Sequence, residues 1–164
     1  MPIISTDIKY RLSGGASNTD PAASLGGAKS STDAASTIFD DVSSAEATAG
    51  DIEYRCVYVH NNHGSLTLQG AKVWIQTQTP SADTDVAIGL GSSAVNGTEQ
   101  TVANEGTAPT SVTFSAPSSF AGGLTIGDIP AGQHKAVWVR RTVNAGAAAA
   151  SDSFALRVQG DTNP

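Results

Sequence analysis

Three histidines and one cysteine are the groups in this chain best suited to hold a metal, and His60 and His63 stand three residues apart. That spacing could present two imidazoles across a turn. Cys56 shares the strand parity of His60 but lies about 13 Å from it along an extended chain. A structural zinc site takes four ligands and a catalytic one at least three protein groups. His134 is the only further histidine. His60 and His63 are therefore expected to be polar turn residues, and no metal or other cofactor is expected. Cys56, the only cysteine, cannot form an intramolecular disulfide, and its strand position favours a small buried hydrophobe over a nucleophile.

The carboxylates offer a second kind of chemistry. Asp40-Asp41, Asp83-x-Asp85, Glu99 and Glu105 fall in loops, but the evenly spaced oxygen ligands of a calcium loop are absent. Paired acids for hydrolysis must be held about 5–9 Å apart in a cleft, and nothing in the spacing does so. There is no G-x-S-x-G elbow. Gly14-Gly15 and Gly26-Gly27 do not lead into a lysine-terminated phosphate loop. An enzyme is not expected. Asn96-Gly97-Thr98 matches a glycosylation sequon, but the Asn-Gly pair is better explained as a hairpin turn. Tyr54, Tyr58, Trp74 and Trp138 could include a sugar-stacking platform, although in a chain so short of aromatics they are expected to serve the core or an interface.

The elements that would position these groups are strands. Asp51 to His63 alternates strictly: Ile52, Tyr54, Cys56 and Tyr58 fall on one face, Glu53, Arg55, Val57 and Val59 on the other. Leu66, Leu68 and Trp74 share a parity opposite to that of Val73 and Ile75, so a bulge or bend is expected near Gly70. Val86-x-Ile88-x-Leu90, Val112-x-Phe114, Leu124-Thr125-Ile126, Ala136–Val143 and Ser153–Gln159 supply further strands, with Phe154, Leu156 and Val158 on one face. Asn144–Ala150 is expected to be a loop, too short for a stable helix. Seven to nine short strands with regular turn signals predict an all-β fold, an antiparallel β-sandwich of immunoglobulin-like or jelly-roll type. Residues 1–45, rich in Gly, Ser and Ala, read as an extended N-terminal arm, and 46–164 as the sandwich domain. Such an arm is expected to be a mobile tail or to order against a neighbouring subunit.

Composition narrows the function classes. The net charge is −6 with only nine Lys and Arg among 164 residues, and no basic stripe suits a nucleic-acid backbone. Arg140 and Arg141, adjacent in a strand, point to opposite faces, and Arg140 shares a face with Trp138, where stacking or an ion pair is expected. No apolar run approaches the roughly 18–20 residues that span a membrane. With no secretory signal visible at Met1, the chain is expected to be made in a cytosol. Nine aromatic side chains and much alanine make a thin core, which assembly would relieve.

Three stretches carry a resemblance: Arg11–Gly27, Ala45–Asn61, and Ile129-Pro-Ala-Gly-Gln133 ahead of Trp138. On these the chain resembles small structural proteins of tailed-bacteriophage virions. The resemblance implies a non-enzymatic virion component made in the host bacterial cytoplasm, first a capsid decoration or cement protein. Its implied partners are the major capsid protein or other virion proteins, and further copies of itself in a homo-oligomer. A neck, tail or baseplate protein is the alternative, and a host-surface or glycan-binding module a further one. The implied interface residues are Tyr10, Arg11, Leu12 and Leu25 in the arm, Ile38 and Phe39 where it rejoins the body, and Trp74, Trp138 and Arg140 on the strands. Deletion of residues 2–30 is expected to leave a folded body that attaches poorly.

Overall fold

The computed structural model describes residues 1–148 and 152–162. They form an all-β fold of antiparallel strands in three sheets. The strands are β1 (Ile8–Leu12), β2 (Gly26–Gly27), β3 (Asp51–Asn61), β4 (Leu68–Thr77), β5 (Thr84–Leu90), β6 (Glu99–Thr101), β7 (Leu124–Ile129), β8 (His134–Val143) and β9 (Ala155–Asp161). The main sheet has the order β1-β3-β8-β5, the small sheet β7-β4-β9, and β2 pairs with β6 in a two-stranded ribbon.

The expected central strand is β3, paired along its length with β8 from Asp51↔Val143 to His60↔His134. Its alternation has a different meaning from a half-exposed strand, because both faces are buried. Val57 and Val59 join Val86, Ile88, Val137 and Val139 of the main sheet and Val73, Ile75, Ile129 and Val158 of the small sheet in one aliphatic cluster. On the opposite face Cys56, Tyr58, Ala136 and Trp138 form a second cluster with Val102, packed by Leu25, Val112 and Phe114. The expected bulge is present: β4 shifts register between Leu68 and Ala71, and Gly70 has φ 56°. That extra residue lets Leu68 and Val73, of opposite parity, face the same core.

The cover over the second face comes from the segment read in the sequence as an arm. β1 pairs with β3, and Leu12, Ser13, Ser24 and Ser30 are buried. The Ser13 hydroxyl donates to the Cys56 carbonyl at 2.8 Å, and the Cys56 N–H donates to the Ser24 carbonyl at 2.8 Å. Residues 8–30 therefore pack on their own chain and are not a free arm, and deletion of residues 2–30 would strip β1 and this cover from the body. Their glycines serve close approach as well as freedom. A Cβ on Gly26, at φ +97°, would stand 1.8 Å from the Gln100 carbonyl oxygen.

Other expectations also change. Val112–Phe114 forms no strand; the contact there is a single bridge between Ile88 and Ser115. Asn96-Gly97 does turn the chain, with Asn96 at φ 62° and the Gly97 N–H on the Ala94 carbonyl. It makes no hairpin, because β6 pairs with β2 and not with the strand before the turn. A short helix α1 (Ser44–Ala49), not expected from the sequence, spans the boundary drawn between arm and sandwich domain and is opened by a Ser43–Glu46 capping box. Ala145 and Gly146 form the expected turn after β8; Ala149 and Ala150 lie outside the described residues.

Candidate functional site

The densest convergence of ionisable groups lies at the start of β3. Alternation sends Glu53 and Arg55 to the same face as Val57 and Val59, and both are fully enclosed, at 1 % and 0 % exposure. Register places Arg141 of β8 opposite Glu53, whose Oε2 accepts from Arg141 Nε at 2.6 Å. Arg55 Nη2 pairs with Glu105 Oε2 at 2.5 Å. Above them runs the segment Ile38–Asp40, held by Arg55 Nε on the Ile38 carbonyl at 3.1 Å and Arg141 Nη1 on the Asp40 carbonyl at 2.6 Å. The Phe39 ring lies against both guanidiniums, 4.8 Å from Arg141 and 5.4 Å from Arg55.

Oxygens of Asp40, Glu53 and Glu105 all lie within 4.8 Å of one another, a spacing that could hold a cation. Here each carboxylate already faces a guanidinium, with Asp40 Oδ1 3.6 Å from Arg141 and 3.7 Å from Arg55. A divalent ion would sit against two fixed positive charges, so the group fits an ion-pair network, with Glu53 and Arg55 enclosed and Asp40 and Glu105 at its exposed rim. Burial pushes the Glu53 carboxyl above its ordinary pKa; Arg141 opposes this, and the charges of Asp40 and Glu105 add to it.

The second face carries a different polar set. The Tyr58 hydroxyl donates to the Gly27 carbonyl at 2.6 Å and accepts from the Glu99 N–H at 2.9 Å. Glu99 receives the Ser92 N–H and hydroxyl on Oε1 and the Ser93 N–H on Oε2. Burial alone would raise its pKa, but these donors outweigh it and hold the carboxylate down at about 2. Cys56 is fully buried and its thiol pKa is pushed up by desolvation, the opposite of an activated nucleophile. His63 organises its own turn, its Nδ1 accepting from the Ser65 and Leu66 N–H groups.

Most residues implied as an interface are used within the chain. Leu12 and Trp138 are fully buried, Trp74 nearly so, and Leu25 packs on the second cluster. Tyr10, Ile38 and Phe39 pack against the aliphatic core. Arg11 pairs with Asp33 at 2.9 Å, and Arg140 lies over the Phe114 ring at 5.4 Å. Trp74 is covered edge-on by Phe120, which is itself exposed.

The edges of the two larger sheets differ. Outside β1, residues 30–34 hydrogen-bond along the strand, from Ser30 N–H on the Leu12 carbonyl to Ala34 N–H on the Tyr10 carbonyl. Outside β5, the Gln78 amide satisfies both the Val86 carbonyl and its N–H, and Ile88 exchanges two bonds with Ser115. β9 is an edge strand of the small sheet. Beside it a groove is lined by Ile3, Ile4, Tyr10, Leu68, Leu156 and Val158. Met1 is fully exposed and Ile4 is 54 % exposed. Gln78 and the 30–34 cover carried no signal in the sequence, because a polar side chain closing an edge has no periodicity.

No family model matches this chain, and neither a curated protein nor a solved structure matches it. No helix among the described residues is long and apolar enough to cross a membrane.

Proposed function

We propose that this chain is a non-enzymatic structural protein of a tailed-bacteriophage virion, acting as a capsid decoration or cement protein. In this reading the main and small sheets are the two layers of a β-sandwich, and the partners are the major capsid protein and further copies of the chain. Binding the assembled shell and not its free subunits would stabilise the shell by mass action.

The observation that supports it is the unequal treatment of sheet edges. Both edges of the main sheet are closed by the chain itself. The β9 edge of the small sheet lies beside a groove in which Ile3, Ile4, Leu156 and Val158 alternate with Gln76, Arg157 and Gln159, and beside the exposed Met1 and Ile4. Proteins that avoid association cover or charge such edges. An edge left beside apolar residues suits the addition of a neighbour's strand or loop.

Imaging of intact particles, with copy number, tests the proposal. Density for this chain at high copy on the head supports it, together with shells that rupture at a lower temperature without it. Six or twelve copies at the neck, tail or baseplate would move the protein there. Its absence from purified particles would overturn the virion role. Ile4→Asp is expected to leave the fold intact and to lower head occupancy at least tenfold.

A further inference from the structure

The main sheet carries a row of basic side chains on its second face. Lys9 of β1, His60 of β3 and His134 of β8 are direct cross-strand partners, so their side chains share one face. In the next row Arg11 lies opposite Tyr58. The imidazoles of His60 and His134 are 6.5 Å apart, and the His134 ring meets Tyr58 edge-on at 4.9 Å. Lys29 lies on the covering segment, two residues beyond Gly27, whose carbonyl takes the Tyr58 hydroxyl, and its charge acts on both imidazoles. Three of the nine Lys and Arg and two of the three His of a chain with net charge −6 thus meet in one place.

Like charges brought together need a reason. Among the described residues the only acid paired there is Asp33, on Arg11; the Glu99 carboxylate is committed to Ser92 and Ser93. Lys9, Arg11 and Lys29 less Asp33 leave a charge of about +2 before either imidazole is counted. Two buried nitrogens in the group, Arg11 Nε and His134 Nδ1, have no hydrogen-bond partner. Buried polar atoms in folded proteins are mostly satisfied, although Ser93 Oγ, Trp138 Nε1 and Arg140 Nε also have no partner among the described residues. Desolvation first, then the charges of Lys29 and Arg11, hold His60 below its ordinary pKa, and desolvation, Lys29 and His60 do the same to His134. Lys29 is lowered by burial and by Arg11.

We propose that Lys9, Arg11, Lys29, His60 and His134 form a binding site for a single tetrahedral oxyanion of the phosphate class. The anion supplies the missing negative charge, and an acceptor for Arg11 Nε, which otherwise has none. With His60 only 9 % exposed, the site admits one anionic group and not the flank of a duplex. It does not depend on the virion role proposed above, and it is tested on the isolated chain.

The test is phosphate titration at constant ionic strength, read by thermal melting and by histidine NMR. Phosphate and sulfate, but not chloride, are expected to raise Tm. The His60 and His134 midpoints are expected to move up by about one pH unit when the anion is bound. Binding then takes up protons, so affinity rises as pH falls from about 7.5 to 6. Lys29→Ala, with unchanged circular dichroism, is expected to weaken phosphate at least tenfold, and Lys9→Ala less. His63 is expected not to respond. No Tm rise and no histidine shift at 50-fold or more of a millimolar-range affinity (about 50 mM phosphate) would overturn the site. So would an equal response in Lys29→Ala, or a short DNA strand binding where phosphate does not.

Discussion

The two faces of the main sheet are covered by different physics. One faces the small sheet across Val57, Val59, Val73, Val86, Ile88, Val137 and Val139, an aliphatic layer with no directional bonds. The other lies under irregular chain, residues 13–30 and 91–115, with Trp138 at its centre. That cover is fastened by single hydrogen bonds: Ser13 to Cys56, Ser24 to Cys56, Tyr58 to Gly27 and Glu99 to Tyr58. Apolar contact adds stability in proportion to area and tolerates change of shape. A bonded cover depends on each donor finding its acceptor, because an unsatisfied buried group costs far more than a made bond gains. The sheet therefore has one forgiving face and one brittle face.

The largest expected effect tests where the forgiving face ends. Arg141→Ala leaves the enclosed Glu53 carboxylate without its partner and frees the Asp40 carbonyl, and unfolding in urea is expected to show a loss of about 3–5 kcal/mol. A loss under 1 kcal/mol would mean the network adds no strength and the aliphatic layer carries that end alone. Next, Ile88→Ala in the aliphatic layer is expected to cost about 3 kcal/mol, with amide protection lowered evenly across both larger sheets. Tyr58→Phe removes one oxygen atom, and a loss of about 1–3 kcal/mol is expected. Its signature is local: hydrogen exchange should speed up in residues 13–30 and 91–115 while β4 and β9 stay protected. Uniform acceleration would erase the distinction between the faces.

The smallest effects are set by pH, and the two faces respond with opposite sign. Glu99 has its folded pKa depressed to about 2, so its contribution is present above the ordinary carboxylate pKa and is lost as pH falls from about 4.5 to 2. Glu53 has its folded pKa raised. Its contribution is therefore fully present below about 4.5 and declines as pH rises through the raised value. Glu99→Gln should flatten the acid limb of the stability curve. Glu53→Gln should flatten the limb above it and leave the acid limb unchanged. Identical curves for the two variants would refute the assignment of opposite environments.

Local pattern made part of this legible. β3 and β9 were readable from strict alternation, and the bulge at Gly70 from the clash of parity between Leu68 and Val73. The capping box at Ser43 and Glu46 was also in plain view, although six helical residues leave little periodicity to detect. Alternation placed Glu53 and Arg55 on one face with Val57 and Val59, but it does not say what encloses them. Their partners Asp40, Glu105 and Arg141 come from three separate segments, and sequence spacing holds no record of that meeting. The basic row Lys9–His60–His134 was hidden for the same reason, since its members are 51 and 74 residues apart and only register aligns them.

The sequence by itself determined that this is an antiparallel β protein, which residues alternate, where the chain must turn, and that Cys56 is a buried apolar group. Those properties follow from backbone sterics and side-chain polarity within a few residues. Tertiary structure alone decided that the Gly-rich N-terminal segment is a cover and not a free arm. It also decided that Glu53 and Arg55 are enclosed, and that both edges of the main sheet are closed by the chain itself. Each of these depends on long-range pairing, where a glycine is chosen for what lies against it and a charge is tolerated only because its partner arrives from elsewhere in the chain.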